Sequence, residues 1–145
     1  MVVNPSGATL NVSGGTLANN CYAAGATTEF IAISNNGTTN ITGGSITSYG
    51  QSATINQNAG TLNVSDGEII AHNTSKGQAI YIAGGTTNIS GDAYLENMSG
   101  TGESRGCVDN NGGTLNITGG TVVSKGYTAV MVRKNNTTTQ IGTDN

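Results

Sequence analysis

Tryptophan is absent, and proline, phenylalanine and histidine occur once each. Val, Ile, Leu and Phe together make only 27 of 145 residues. That share is thin for a compact globule and borders on the range of disordered chains. Disorder of this compositional kind also needs a high net charge, and here the net charge is −3 with 9% charged residues. Five Lys and Arg in all leave no basic stripe to displace counterions, so nucleic acid is not an expected partner. No apolar run approaches the roughly 20 residues of a membrane span, so membrane insertion is not expected. The start, MVVNPSGATL, lacks the basic segment and apolar core of a signal peptide. The length suits a single domain, residues 1–145. A scarce apolar set can still hold a fold together if a thin core is renewed at every unit of a repeat.

What abounds is Gly, Thr and Asn, and they come in a phrase. GTLNVSDGEII (60–70) returns as GTLNITGGTVV (113–123), and GTTNITGGSI (37–46), GTTNISGDAYL (85–95) and ATLNVSGGTL (8–17) are further spellings. Anchored on the residue before the first Thr, the copies begin at Ala8, Gly37, Gly60, Gly85 and Gly113, and TTTQIG from Thr137 opens a sixth. The steps are 29, 23, 25, 28 and 24 residues, by subtraction of those positions. Repeats of this size indicate a solenoid whose units stack one on the next.

Within a unit the residues alternate: Thr61 polar, Leu62 apolar, Asn63 polar, Val64 apolar, Ser65 polar. Period-two alternation is a strand with one buried face. A two-residue turn follows at Gly14-Gly15, Gly43-Gly44, Asp66-Gly67, Gly91-Asp92 and Gly119-Gly120, where positive φ is needed and Gly supplies it. A second strand is led by Leu17, Ile46, Ile69, Leu95 and Val122; Leu95 sits one place late, which implies a turn one residue longer. A third segment closes the unit: EFIAIS, SATINQ, QAIYIA, RGCVDN and TAVMVR. The spacer before it varies most in length. The fold class expected is therefore all-β, a parallel β-helix with three short strands per coil and about five full coils plus a partial sixth. Coils of 23 to 29 residues favour the right-handed type over the left-handed one, which is built on strict hexapeptides.

Successive copies would lie about 4.8 Å apart as neighbouring strands of one sheet. Val12, Ile41, Val64, Ile89, Ile117 and Ile141 would form one inward ladder, and Leu10, Thr39, Leu62, Thr87, Leu115 and Thr139 a second. Buried Thr39 and Thr87 need partners, for which main-chain carbonyls are expected.

GGTLNITGGTVVSKG (112–126) and GTTNITGGSITSYG (37–50) resemble the right-handed β-helix repeats of secreted and wall-attached proteins of Gram-positive bacteria. The resemblance spans nearly the whole chain, from Ala8 to Ile141, and is specific for fold rather than activity, since such repeats serve as stalks, adhesin shafts and enzyme scaffolds. An extracellular or cell-surface location is what the resemblance implies.

Coil shape is also shared with pectate lyases and related polysaccharide enzymes, whose sites combine clustered carboxylates, often holding calcium, with an Arg or Lys base. Here the one carboxylate cluster is Asp66, Glu68 and Asp92 near the first turn of adjacent coils. Against the six to eight oxygens calcium requires, it is a weak metal candidate, and solvated turn residues are the preferred reading. Lys76, Arg105, Lys125 and Arg133 fall at different places in their coils and are not expected to converge. His72 has no Ser or Cys in register and is expected on the surface. Cys21 and Cys107 lie three coils, about 14 Å, apart, beyond the ~7 Å a disulfide tolerates between Cα atoms, so both are expected unpaired. Either Cys107 or Val108 should point inward. No catalytic residue and no cofactor is expected.

The outward positions of the first strand form a T-x-N-x-[S/T] array: Thr9, Asn11, Ser13; Thr38, Asn40, Thr42; Thr61, Asn63, Ser65; Thr86, Asn88, Ser90; Thr114, Asn116, Thr118. It is uncharged throughout and is the candidate binding face. It is similar to the Thr-x-Thr ranks of solenoid antifreeze proteins, with Asn in the middle column. Asn and Thr columns also hydrogen-bond along the axis of stacked strands without any ligand, and duplication of a repeat copies its outward residues. A structural or adhesive module is therefore the preferred function. Binding to ice or a crystalline polysaccharide is the alternative, and a degenerate polysaccharide-active enzyme stands third. Nothing resembling a cap helix precedes Ala8, so the array is expected to be a fragment of a longer one or a subunit that stacks end to end. The partners considered are thus a second copy, a glycan or an ice surface.

Overall fold

The computed structural model describes residues 1–21, 30–99, 105–126, 128–134 and 137–142. Glu29, which opens the first of the expected closing segments, lies outside them. The described residues contain no helix. The strands are β1 (Val2–Asn4), β2 (Thr9–Asn19), β3 (Ile33–Asn35), β4 (Thr38–Ser48), β5 (Ala53–Gln57), β6 (Thr61–Ala71) and β7 (Gln78–Ile82). They continue with β8 (Thr86–Ile89), β9 (Tyr94–Asn97), β10 (Val108–Asn110), β11 (Thr114–Ile117), β12 (Thr121–Ser124), β13 (Val130–Val132) and β14 (Thr138–Ile141). A narrow sheet stacks β1, β3, β5, β7, β10 and β13 in that order, while a wide sheet stacks β2, β4 and β6 and then divides into the columns β8-β11-β14 and β9-β12. Each strand pairing is parallel and joins one coil to the next, a β-solenoid of about five turns.

The two inward ladders form in the expected register. Val64 pairs with Ile41 on one side and Ile89 on the other, with Val12, Ile117 and Ile141 continuing the column. Leu10, Thr39, Leu62, Thr87, Leu115 and Thr139 are its companion. From the narrow sheet Val2, Ile33, Ile55, Ile80, Val108 and Val130 stack in a third column. Ile46, Ile69, Leu95 and Val122 make a fourth, and Leu95 regains register across the longer turn at Gly91-Asp92. Each fully buried Ile or Leu contributes about 1.5–3 kcal/mol relative to exposure, and stacking lets one thin coil cover both its neighbours.

Three features differ from expectation. In the first three coils the first two strands are one, β2, β4 and β6 of 11 residues each. The glycine pairs are bulges within them rather than turns between strands: Ser13 pairs with Gly43 and Thr16 with Ser45, so the ladder slips and then resumes. Gly15, Gly44 and Gly67 take positive φ there, which bends the strand without breaking its pairing. A strand not anticipated, β1, precedes the first repeat and pairs with β3. Finally, the buried Thr39 does not seek a carbonyl. Its hydroxyl donates to Asn35 Oδ1 at 2.8 Å and accepts from Asn4 Nδ2 at 3.1 Å.

That last contact belongs to a corner column legible only in three dimensions. Asn4, Asn35, Gln57, Ile82 and Asn110 occupy one register position of the narrow sheet. Asn4 Nδ2 donates to Asn35 Oδ1 (2.8 Å), and Asn35 Nδ2 to Gln57 Oε1 (2.6 Å). Asn110 Nδ2 donates to Thr138 O and Thr139 Oγ1, both at 3.1 Å, and its Oδ1 accepts from Gly113 N at 3.0 Å. These amides link the first three coils, and the fifth to the strand beyond it, where the chain passes from the narrow to the wide sheet; Ile82 interrupts the column between them. The anchor glycines sit at the same corner because the backbones nearly touch: a Cβ on Gly60 would lie 2.1 Å from the Gly37 carbonyl oxygen, and one on Gly85 2.4 Å from that of Gly60.

Candidate functional sites

The outward face of the wide sheet is an axial chain of amides. Asn40 Nδ2 donates to Asn11 Oδ1 at 2.9 Å, Asn63 to Asn40 at 2.8 Å, Asn88 to Asn63 at 2.8 Å and Asn116 to Asn88 at 2.9 Å. Each interior amide thus commits one N–H and one oxygen lone pair along the axis and turns the remainder toward solvent. Thr9, Thr38, Thr61, Thr86 and Thr114 stack beside it in register. The third column does not. The bulge sets Ser13 against Gly43 and Thr42 against Asp66 rather than Ser65, and Ser90 and Thr118 lie beyond the ends of β8 and β11. The ordered array is two columns wide, because the strand bends where a third would begin.

The carboxylates considered as a metal candidate do not gather. Asp66 pairs with Thr42, Glu68 with Ser45 and Tyr94, and Asp92 follows the next turn. Among the described residues no three of His, Cys, Asp and Glu come close enough to hold a metal ion. Asp66 Oδ1 instead accepts from the Gly67 amide at 2.6 Å. Glu96, exposed by only 7%, pairs with Lys125 (Nζ to Oε1, 2.8 Å) and accepts from the Tyr94 hydroxyl (3.2 Å). The ammonium holds the Glu96 carboxyl below the usual carboxylate range despite its burial.

His72 lies at the end of β6, its ring stacked on Tyr49 with centroids 4.5 Å apart and planes 11° from parallel. Its Nδ1 is 3.3 Å from Met98 Sδ. Cys21 is exposed and Cys107 buried, both as free thiols. Cys107 and Val108 are both fully buried, so the choice between them does not arise: Val108 takes the register position between Ile80 and Val130 while Cys107 packs at the strand's start. Burial pushes the Cys107 thiol pKa up to about 12.

The narrow sheet carries a site the repeat pattern did not announce. Asn56, Tyr81 and Asp109 share one outward register position on β5, β7 and β10. Asn56 and Tyr81, with Ser52, Gln78, Arg105, Asn111 and Arg133, line a hollow of about 380 Å³. Asp109, 1% exposed, is a buried anion beneath two of the lining side chains. Arg133 Nε donates to both Asp109 oxygens, at 2.7 and 2.8 Å, and Gln78 Nε2 donates to Oδ2 at 2.7 Å. Arg105 Nη1 reaches Gln78 Oε1 at 3.3 Å, and Asn111 Nδ2 bonds the Tyr81 hydroxyl. The carboxylate holds the Arg133 guanidinium pKa above its ordinary value. The expectation that the basic residues would not converge is thus corrected for Arg105 and Arg133. They hold different coil positions, Arg105 before β10 and Arg133 directly after β13, yet one bonds Gln78 and the other Asp109, which bond each other. The signal available in the sequence was the outward alternation of SATINQ, QAIYIA and RGCVDN, which stacks Asn, Tyr and Asp. No protein-family model, no curated protein and no solved structure matches the chain.

Proposed function

We propose that the chain is a non-enzymatic structural module, a stiff shaft or adhesive segment of an extracellular or cell-surface bacterial protein. The observation that supports this reading is the unbroken amide chain from Asn11 to Asn116, whose members bind one another along the axis. The corner amides add bonds between the first three coils where the narrow sheet meets the wide one. Hydrogen bonds at two places around a coil resist bending and shear between coils. Val132 and Ile141 remain 50% and 68% exposed on the outermost strands; further coils or a second copy stacked end to end would cover them. Sedimentation as a sharp monomer at high concentration would argue against end-to-end stacking.

The rival reading, an ice or crystalline-polysaccharide surface, draws on the registered Thr column and is weakened by the slipped third column. One variant separates them. Asn63→Ala removes two axial hydrogen bonds, each contributing about 0.5–1.5 kcal/mol, so the brace reading expects a clearly lower melting temperature. It also expects no thermal hysteresis from the parent protein at millimolar concentration. An unchanged melting temperature would refute the brace, and hysteresis abolished by Thr61→Tyr would install the ice reading in its place.

A further inference from the structure

We propose that the hollow on the narrow sheet binds an acidic sugar, a pyranose carrying a carboxylate. The site stands apart from the amide face of the wide sheet, and its function does not depend on the shaft reading.

Three observations carry this. First, the volume of about 380 Å³ falls within the roughly 300–1,000 Å³ of small-molecule sites. Second, the lining is polar throughout: Ser52, Asn56, Gln78, Asn111, Tyr81, Arg105 and Arg133. Such a set of hydroxyl, amide and guanidinium groups suits a ligand bearing hydroxyls on all sides, and Tyr81 adds an aromatic wall for the C–H face of a pyranose. An apolar ligand would take water from the remaining donors and acceptors of those groups and replace it with nothing.

Third, the charge does not close. Two guanidiniums line the hollow, and the one carboxylate beside it, Asp109, is buried and bonded to one of them. Asp109 is engaged through both oxygens by Arg133 and through Oδ2 by Gln78. Arg105 meets only the neutral Gln78 Oε1, at 3.3 Å, and no carboxylate among the described residues. A half-buried, unmatched guanidinium beside amides and a hydroxyl calls for an anion, and a planar carboxylate matches its fork of donors. Arg105 thus receives the acid group. The Asp109–Arg133–Gln78 cluster is the positioning element, since Gln78 is fixed by Asp109 of the next coil and in turn orients Arg105.

The test is a titration of the full chain with D-glucuronic acid, followed by amide chemical shifts, with D-glucose, acetate and inorganic phosphate as parallel probes. Glucuronate is expected to shift amides of residues 52–56, 78–81 and 105–111 selectively, and glucose and acetate to bind at least ten-fold more weakly. Arg105→Gln should weaken glucuronate at least ten-fold with its melting temperature unchanged, whereas Lys134→Gln, an exposed cation outside the lining, should leave affinity unaltered. Equal binding of glucose, shifts located elsewhere, or full affinity in Arg105→Gln would overturn the proposal. Phosphate binding as tightly as glucuronate would overturn the sugar assignment and leave a plain anion site.

Discussion

Thr87 is fully buried, and its hydroxyl oxygen has no hydrogen-bond partner among the described residues. The contrast with Thr39, two rungs earlier in the same inward column, explains why. Thr39 lies against Asn35 and below it Asn4, and its hydroxyl is used twice. At Thr87 the corner position of the same coil is Ile82, which offers nothing to bond, and Gln57 in the coil below turns its amide to the Ala59 carbonyl at 2.8 Å. A buried polar group left unbonded costs about 1–3 kcal/mol. Val has nearly the shape of Thr and puts a methyl where the hydroxyl was. Thr87→Val should therefore stabilise the protein by about 1–3 kcal/mol, which is the orphan's cost removed. Thr39→Val should act oppositely, losing two bonds and destabilising by about 1–2 kcal/mol. For a chain of this length, 1 kcal/mol corresponds to roughly 2–4 °C in melting temperature. The two single variants should thus bracket the parent by several degrees in far-ultraviolet circular dichroism melts. Stacked repeats need not melt as one unit, so hydrogen exchange at the Leu62, Thr87 and Leu115 amides would locate the change. A Thr87→Val protein no more stable than its parent, or a Thr39→Val protein shifted in the same direction, would refute the reasoning.

Gly60→Ala should destabilise by about 2 kcal/mol or more, since its φ of +69° disfavours a side chain and the new Cβ would sit 2.1 Å from the Gly37 carbonyl oxygen; urea titration measures it. The lowered pKa of Glu96 means its carboxylate adds stability above the unfolded-state value and loses it as pH falls through the lower folded value. Acid melts of the parent should accordingly show a stability loss below the ordinary glutamate range that Lys125→Met shifts to higher pH. With its pKa near 12 and its burial, Cys107 should stay unreactive toward a thiol reagent at pH 8 while exposed Cys21 reacts; two equivalents consumed without denaturant would contradict the burial.

The pairing of Val64 with Ile41 and Ile89, the inward Leu and Thr column and the glycine anchors were all legible in the repeat. Strand residues alternate faces with period two, and a repeated phrase stacks like on like. The Asn ladder could be placed on one outward face for the same reason, though not its sequential hydrogen bonds. The bulge at Gly43-Gly44 was not legible, because a glycine pair serves equally as a turn or as a bend within a strand. Nor was the partner of Thr39, which comes from Asn35 at the far side of a corner.

By itself, then, the amino-acid order determined the solenoid, the inward ladders and the composition of the flat outward face, since each depends on periodicity and on neighbours one repeat apart. Only the tertiary structure decided which polar groups are satisfied and where chemistry can gather. The hollow beside Asp109 joins residues from 52 to 133, and what unites them is the register of the narrow sheet together with side-chain bonds between its coils. The alternation of the closing segments stacks Asn, Tyr and Asp, but it does not encode the bonds that Gln78, Arg105 and Arg133 make there.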